Sequence, residues 1–334
     1  MKKIFSTDRT LVVKGVAILL LLLHHISGAY FRQNAWIFKI GFVAKVCVCI
    51  FFILSGYGLA ASYENKKNKG AGDRITFVLM HLKKVMLKFW TIYLIFLPIN
   101  IFYAGRSLGE IYGPKRWDYM LIDFFGLNHI FKTPSMTGTW WYMGAMIVLY
   151  LLFPYLIYFM DKSKVKFFCV NLVIAICVGF AWHLSIQGTN PILFYLFPFS
   201  MGMILYQTDL LNRVLEMMKN SLFLLILDVI LIVILGILRW KIGNEIDTLF
   251  GIAIILLIAR VIPIKGILYR MLSMIGKYSG EIFMLHSFVY AWCFKKYVMI
   301  FHNIFTAIIL TVIYSLIFAV VVEKIEKILK ERIK

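Results

Sequence analysis

Residues 11–30 read LVVKGVAILLLLLHHISGAY, an apolar run whose only basic side chains are Lys14, His24 and His25. A run of this length and hydrophobicity is typical of an α-helix that spans the hydrocarbon core of a bilayer. Similar runs recur along the whole chain, in which 62% of the residues are hydrophobic and only 16% are charged. The sequence therefore predicts an all-α polytopic membrane protein and argues against a soluble domain.

Ten segments have the length and hydrophobicity expected of transmembrane helices. They are 11–30, 40–62, 86–104, 140–160, 165–184, 191–206, 221–238, 246–262, 281–299 and 303–323. An even number of spans places both termini on the same side of the membrane. Most of the 36 Lys and Arg residues fall in segments on the N-terminal side, so the positive-inside rule predicts that both termini are cytoplasmic.

The net charge of +20 reflects this topology and contact with anionic membrane lipid. A nucleic-acid partner is not expected, because the basic residues are spread over short loops rather than gathered on one surface. The chain reads as a single domain over 1–334, and residues 324–334 form a basic helical tail in the cytoplasm. No Cys/His spacing typical of a metal site occurs, so neither a metal nor a permanently bound cofactor is predicted. The sequence leaves both a monomer and a homo-oligomer open.

Lys14 and His25 are the strongest candidates for chemistry in the first span. Eleven residues at 100° per residue amount to three turns plus about 20°, so the two side chains share one helix face, roughly 16 Å apart along the axis. His24 points about 80° away from Lys14. Ionisable groups within a membrane span often mark a functional cavity. The alternative is that Lys14 extends to the interface and that His25 is a packing residue.

Several stretches, in order, resemble the motifs of the acyltransferase family 3 membrane enzymes. The first is KGVAILLLLLHH (14–25), in which a basic residue and a histidine are separated by ten residues. The others are VCVCIFFILSGYGL (46–59), HLKKVMLKFW (81–90), TWWYMGAMIVLYLLFP (139–154), LFPFSMGMIL (196–205) and IGKYSGEIFMLHSF (275–288). Leu11, Cys49 and Met146 stand where many members have acidic or polar residues, so no acidic catalytic partner is predicted.

The resemblance implies a membrane-embedded O-acyltransferase, most often an O-acetyltransferase, in the cell membrane of a bacterium. Acetyl-CoA or another acyl-CoA would be the co-substrate, and a hydroxyl of a surface polysaccharide or lipid-linked glycan the acceptor. His25 is then the catalytic residue, either as a general base or as a covalent acyl carrier. Lys14, Lys84 and Lys88 are expected to contact the phosphates of the donor.

Weaker candidates for cavity or acceptor contacts complete the prediction: His24, Ser55, Trp141, Tyr150, Ser279 and His286. His24 is a second candidate for the catalytic histidine. Helix packing is the favoured interpretation of Ser55, and an aromatic belt or core packing that of the Trp–Tyr pair. His286 is equally consistent with a ligand contact and with a structural hydrogen bond.

Two other functions remain open from the sequence. A transporter or flippase would also place Lys and His within the membrane, although paired helices broken by Gly or Pro, which are common in transporters, are not evident. An inactive family member that serves as a scaffold is the third reading.

Overall fold

The computed structural model describes residues 4–70, 73–184 and 191–332. These residues form helices and connecting turns, with no β-strand among them. The α-helices in chain order are α1 (Thr7–Tyr30), α2 (Ala35–Ala44), α3 (Cys47–Lys67), α4 (Arg74–Pro98), α5 (Leu108–Tyr112), α6 (Arg116–Phe124), α7 (Asn128–Phe131), α8 (Trp141–Lys162), α9 (Lys164–His183), α10 (Leu196–Gln207), α11 (Leu210–Met218), α12 (Leu222–Ile242), α13 (Asp247–Val261), α14 (Gly266–Lys277), α15 (Ser279–Ser287), α16 (Lys295–Val298) and α17 (Ile304–Arg332).

Seven helical segments of the described chain are long and apolar enough to cross a membrane. They are Thr7–Tyr30, Ala35–Lys67, Arg74–Tyr103, Gly138–Lys162, Lys164–His183, Leu222–Ile242 and Ile304–Ile328. These segments confirm the predicted all-α membrane architecture. The number of ten spans and the cytoplasmic side of the termini stay predictions.

The three remaining predicted spans coincide with shorter or interrupted helices. Span 191–206 is a 3-10 turn over Pro191–Tyr195 followed by α10, and span 246–262 is α13, with 15 residues. Span 281–299 is α15, which passes into a π-helical turn over Phe288–Cys293 before the short α16.

Some helices extend beyond the predicted hydrophobic segments. Helix α4 begins at Arg74 rather than near residue 86, because the basic stretch before the apolar core continues the same helix. Helix α17 runs to Arg332, so most of the predicted tail 324–334 is a continuation of the last span. Residues 333–334 lie outside the described residues.

The chain forms two compact units, each assembled from two separate stretches. Unit 1 comprises Met1–Arg74 and Leu152–Lys277, and unit 2 comprises Ile75–Leu151 and Tyr278–Lys334. Helix α8 contributes its first half to unit 2 and its second half to unit 1. Contacts within each unit determine which of the predicted site residues lie near one another.

In unit 1, α3 and α10 cross at two glycines. A Cβ on Gly56 would lie 1.9 Å from the carbonyl oxygen of Phe199, and a Cβ on Gly202 would lie 2.0 Å from that of Ile53. Each glycine therefore allows the backbone of the other helix to approach, as small residues do at helix interfaces in membranes.

Helices α1 and α14 cross in the same way. A Cβ on Gly15 would lie 2.2 Å from the Leu272 carbonyl oxygen, and a Cβ on Gly276 would lie 1.9 Å from that of Leu11. Lys14 is therefore next to a point where the α1 backbone is fixed against another helix.

In unit 2, large aromatic side chains fill the space between helices. Phe89 and Trp140 are in edge-on contact with ring centroids 4.8 Å apart, and the Phe96 and Phe288 rings are 4.7 Å apart. All four side chains are fully buried. Such pairs combine a large buried area with favourable ring geometry.

Candidate functional site

Helix α1 carries three of the predicted site residues. Its first turn is capped by Ser6, whose side chain accepts the Arg9 backbone N–H at 3.4 Å. The helix is continuous from Thr7 to Tyr30, so Lys14 and His25 lie on one face about 16 Å apart along the axis. Both side chains are half-buried. The chain thus has the helical geometry on which the predicted roles of these two residues depend.

His24 connects α1 to the C-terminal end of α2. Its Nδ1 lies 2.9 Å from the carbonyl oxygen of Gly41. That carbonyl is one of the last four of α2, and the oxygens of these four carbonyls have no N–H donor four residues later in the same helix. Because a carbonyl only accepts, Nδ1 carries the proton, and in neutral His24 the lone pair is on Nε2. The imidazole rings of His24 and His25 have centroids 4.9 Å apart.

Arg239 caps the next carbonyl of the same helix end. Its Nη1 donates to the Phe42 carbonyl oxygen at 2.5 Å. The guanidinium is fully buried and forms a bidentate pair with Asp247, with Nε–Oδ1 at 2.7 Å and Nη2–Oδ2 at 3.1 Å. The apolar segment Ala35–Lys67 is interrupted at residues 45–46, between α2 and α3. His24 therefore satisfies the Gly41 carbonyl at this interruption, as backbone groups within a membrane require, and Arg239 adds a second donor to the Phe42 carbonyl, which also accepts the Lys45 N–H at 3.3 Å.

Ser55 lies on α3, directly before Gly56, and is half-buried. Its neighbour Gly56 is the residue that approaches the Phe199 carbonyl. The position of Ser55 beside the α3–α10 crossing agrees with the packing interpretation of this serine.

In unit 2, Lys84 and Lys88 are one turn apart on α4, and Lys84 is exposed. The ammonium group of Lys88 forms a salt bridge with Glu281 of α15. Oε2 of Glu281 is buried and has no hydrogen-bond partner among the described residues. Sequence analysis assigned Lys88 to the donor phosphates and overlooked Glu281, although this carboxylate lies within the stretch 275–288 that carries the family resemblance.

Ser279 and His286 are both buried on α15. His286 Nδ1 is 2.7 Å from the Phe283 carbonyl oxygen of the same helix, so this nitrogen carries the proton. The imidazole also stacks on the Tyr290 ring, with centroids 5.9 Å apart. These contacts match the structural alternative for His286, without testing a role in ligand binding.

Trp140, just before α8, and Trp141, its first residue, lie in different environments. Trp140 is fully buried and donates from Nε1 to the Met284 carbonyl oxygen at 3.1 Å. Trp141, the residue singled out from the sequence, is half-buried and lies against His129, with ring centroids 5.9 Å apart. Tyr150, also half-buried, follows two and a half turns later, so it points about 180° away from Trp141. The two residues therefore cannot form one aromatic surface.

A buried carboxylate organises the connection between α4 and α8. Asp123 of α6 accepts hydrogen bonds from the Tyr112 hydroxyl at 2.9 Å, the Ser135 hydroxyl at 2.6 Å and the Met136 backbone N–H at 2.8 Å. Burial raises the pKa of Asp123 from its ordinary value of 3.8 to about 6, and these three donors hold it below the value that burial alone would give. None of the motifs that carry the family resemblance includes Asp123, so the sequence did not reveal this interaction.

The predicted site residues thus fall into two groups. Unit 1 holds Lys14, His24, His25 and Ser55, and unit 2 holds Lys84, Lys88, Trp141, Tyr150, Ser279 and His286. Within unit 1, His24 and His25 are in ring contact. Within unit 2, Lys88 is joined to the helix that carries Ser279 and His286.

Comparison with protein-family models finds one that describes an acyltransferase domain, the family 3 acyltransferase model, matched to residues 12–324. The match covers nearly the whole chain and both units. Searches of curated proteins and of solved structures return no match.

Proposed function

Because this chain belongs to acyltransferase family 3 and is a membrane acyltransferase, we propose that it moves an acyl group, such as acetyl, from acyl-CoA to a carbohydrate hydroxyl. The acceptor would be a surface polysaccharide or a lipid-linked glycan, and the setting a bacterial cell membrane. Family membership supports the reaction class. The donor and the acceptor are part of the proposal.

The observation that carries the proposal at residue level is the bond between His24 and Gly41. With Nδ1 of His24 holding the end of α2, the two adjacent histidines have separable roles: His24 ties α1 to α2, and His25 performs the chemistry. His25 is also the residue at the correct spacing from Lys14, on the same face of α1.

His25 would work in one of two ways. As a general base, an imidazole nitrogen takes the proton of the acceptor hydroxyl while the oxygen attacks the thioester carbonyl carbon. The carbon–sulfur bond then breaks, and the CoA thiolate recovers the proton from the imidazolium. In the covalent route, the imidazole nitrogen attacks the thioester first, and the carbon–sulfur bond breaks to release the CoA thiolate. The acceptor oxygen then displaces the imidazole from the acyl group, and the proton of the acceptor hydroxyl passes to the thiolate. Both routes yield the same ester and free CoA.

The cationic side chains would hold the phosphates of the donor. Lys14 lies three turns from His25, on the side of α1 nearer the N-terminus. Lys84 is an exposed ammonium group on α4. Lys88 would contribute less than these two, because its charge is already compensated by Glu281.

The test is transfer of labelled acetyl from acetyl-CoA by purified protein, with bacterial membrane glycans offered as acceptors and hydrolysis followed in parallel. His24→Asn and His25→Asn form a matched pair. In His24→Asn the Nδ2 can replace the Nδ1–H donor to Gly41, and in neither variant can asparagine act as a base or nucleophile. We expect His24→Asn to retain most activity and His25→Asn to lose it at least about a hundredfold, in line with the usual contribution of general acid–base catalysis. Lys14→Met should raise KM for acetyl-CoA more than it lowers kcat.

The reverse pattern, an active His25→Asn and an inactive His24→Asn, would move the catalytic role to His24, whose Nε2 has the lone pair. Glycan flux across proteoliposomes without consumption of acetyl-CoA would instead support the transporter alternative.

A further inference from the structure

Unit 1 contains a pocket that none of the predicted catalytic residues lines. It lies at the end where α1 begins, between the first turn of α1, the last turn of α11 and the end of α13. Its volume is about 520 Å³, which is in the usual range for small-molecule sites. We call it the basic pocket, because Arg9, Lys219 and Arg260 line it together with one carboxylate, Asp8.

Arg9 is the residue in this pocket that most needs a partner. Its Nε and Nη1 atoms are buried, and neither has a hydrogen-bond acceptor among the residues that the structure describes. Buried N–H groups without acceptors are costly, because they have given up water without gaining a bond. Arg9 therefore contributes to the pocket a positive charge that no ion pair among the described residues compensates.

The other two cations differ in how firmly they are held. Nη1 of Arg260 donates to the Ser221 carbonyl oxygen at 3.0 Å, which fixes the guanidinium at the pocket wall. Lys219 is 3.7 Å from Glu216, but both side chains are more than half exposed, so this pair contributes little. Asp8 accepts from the Tyr269 hydroxyl at 3.2 Å, which engages one of its carboxylate oxygens. The lining therefore has three cations against one carboxylate.

We propose that the basic pocket binds a phosphate group. Two arginines and a lysine around one cavity suit phosphate, since guanidinium groups bind its oxygens in pairs and the ammonium adds a point charge. Leu215 and Ile264 supply an apolar wall, against which the organic part of a phosphate ester can rest. The group could belong to a soluble phosphate compound or to the headgroup of an anionic lipid. This inference does not depend on the acyl-transfer proposal, because it uses neither Lys14 nor His25.

The experiment measures phosphate binding by purified protein in nanodiscs, with two probes. Inorganic pyrophosphate is titrated calorimetrically into protein in phosphatidylcholine nanodiscs. In the second arm, the melting temperature is compared between nanodiscs of phosphatidylcholine alone and nanodiscs that also contain phosphatidylglycerol. Wild type should respond to at least one probe. Arg9→Gln should weaken that response by about tenfold or more, as expected for the loss of charge-assisted hydrogen bonds.

Arg213→Gln is the matched control, because Arg213 is an exposed arginine on α11 that does not line the pocket. It removes the same charge near the same end of unit 1 and should leave binding within about twofold of wild type. Lys219→Gln provides a second test at an exposed position, where folding is not at risk, and should weaken binding about threefold. Arg9→Gln without any probe should melt no lower than wild type, since it removes two buried nitrogens that lack acceptors.

Pyrophosphate binding that depends on Arg9 and Lys219 identifies the ligand as a soluble phosphate compound. Stabilisation by phosphatidylglycerol with the same dependence identifies a lipid headgroup. The proposal is overturned if wild type responds to neither probe, or if Arg213→Gln reduces the response as much as Arg9→Gln does. If wild type binds the phosphate probe as expected but transfers no acetyl group, the acyl-transfer proposal is contradicted and the phosphate-binding proposal is not.

Discussion

Unit 1 and unit 2 differ in the contacts that are described between their helices. Unit 1 brings backbones into contact at glycines: Gly56 and Gly202 join α3 to α10, and Gly15 and Gly276 join α1 to α14. In unit 2, buried aromatic rings such as Phe89 and Trp140 fill the space between helices. In lipid the hydrophobic effect does little to associate helices, so packing and hydrogen bonds must do it. Substitutions that enlarge a glycine at a helix crossing should therefore destabilise unit 1. Substitutions that make a buried aromatic side chain smaller should destabilise unit 2.

The largest effect is expected from one added methyl group at a crossing of unit 1. In Gly202→Ala the new Cβ would sit 2.0 Å from the Ile53 carbonyl oxygen, a clash that only separation of α3 from α10 can relieve. We expect little or no monodisperse protein after size-exclusion chromatography in detergent. Gly58→Ala is the control on α3, because a Cβ at Gly58 meets nothing within 4 Å. Equal yields and melting temperatures for the two variants would refute the backbone-contact description of unit 1.

The next effect concerns the buried ion pair of unit 1. Arg239→Met leaves Asp247 without its guanidinium partner and removes one of the two donors to the Phe42 carbonyl, and should lower the free energy of unfolding by about 3–5 kcal/mol. The double variant Arg239→Met/Asp247→Leu should recover part of this loss, because the uncompensated carboxylate is gone. Lys241→Met, an exposed charge on the same helix, should be nearly neutral. A double variant less stable than Arg239→Met would mean that the pair is not the source of the effect.

In unit 2 the polar network around Asp123 predicts a dependence on pH. Because the pKa of Asp123 is about 6 in the folded protein and 3.8 ordinarily, the folded protein binds a proton that the unfolded chain releases between these values. The contribution of this group to stability therefore grows as pH falls through 6 toward 4, and is lost as pH rises through 6. Relative to Asp123→Asn, wild type should gain about 1 kcal/mol between about pH 7.5 and about pH 5. Melting curves of both proteins at the two pH values check this, and a relative loss for wild type would contradict it.

The last prediction compares two adjacent tryptophans of unit 2, and the smallest effect of all is expected for Trp141. Trp140→Phe keeps an aromatic ring but removes the Nε1–H that donates to the Met284 carbonyl. The free energy of unfolding should fall by about 1–2 kcal/mol. Trp141→Phe should cost less, since that side chain is only half-buried. Thermal unfolding of the two variants side by side tests the assignment. Equal decreases in stability for the two variants would show that the burial of Trp140 does not make it more important for stability than Trp141.

The sequence predicted the membrane architecture because hydrophobicity over a long run requires no knowledge of neighbours. The predicted spans 11–30 and 221–238 are examples, because the structure shows helices at both, α1 and α12. It did not reveal that the end of α2 is capped by His24 and Arg239, because residues far apart in sequence meet there. The partnership between Arg239 and Asp247 was hidden for another reason: both lie at the ends of predicted spans, where charges are ordinary.

Motif resemblance identified residues without explaining them. Gly56 and Gly276 were noted as parts of family motifs, but only the structure shows that each faces a carbonyl of another helix. Glu281 was overlooked because it was not one of the matched motif positions, and its partner Lys88 was given another role. The choice of Trp141 over Trp140 rested on the family motif in residues 139–154, which does not report burial.

The discontinuous make-up of the two units has a consequence for biosynthesis. Along the chain, unit 1 is interrupted after Arg74 and resumes at Leu152. Unit 2 begins at Ile75, but its second stretch, Tyr278–Lys334, is made only after unit 1 is complete. During translation, Lys88 of α4 therefore meets its partner Glu281 of α15 only after all of unit 1 has been made. A ribosome stalled after Lys277 would hold a unit 1 with both of its stretches, and a unit 2 still missing α15 and α17.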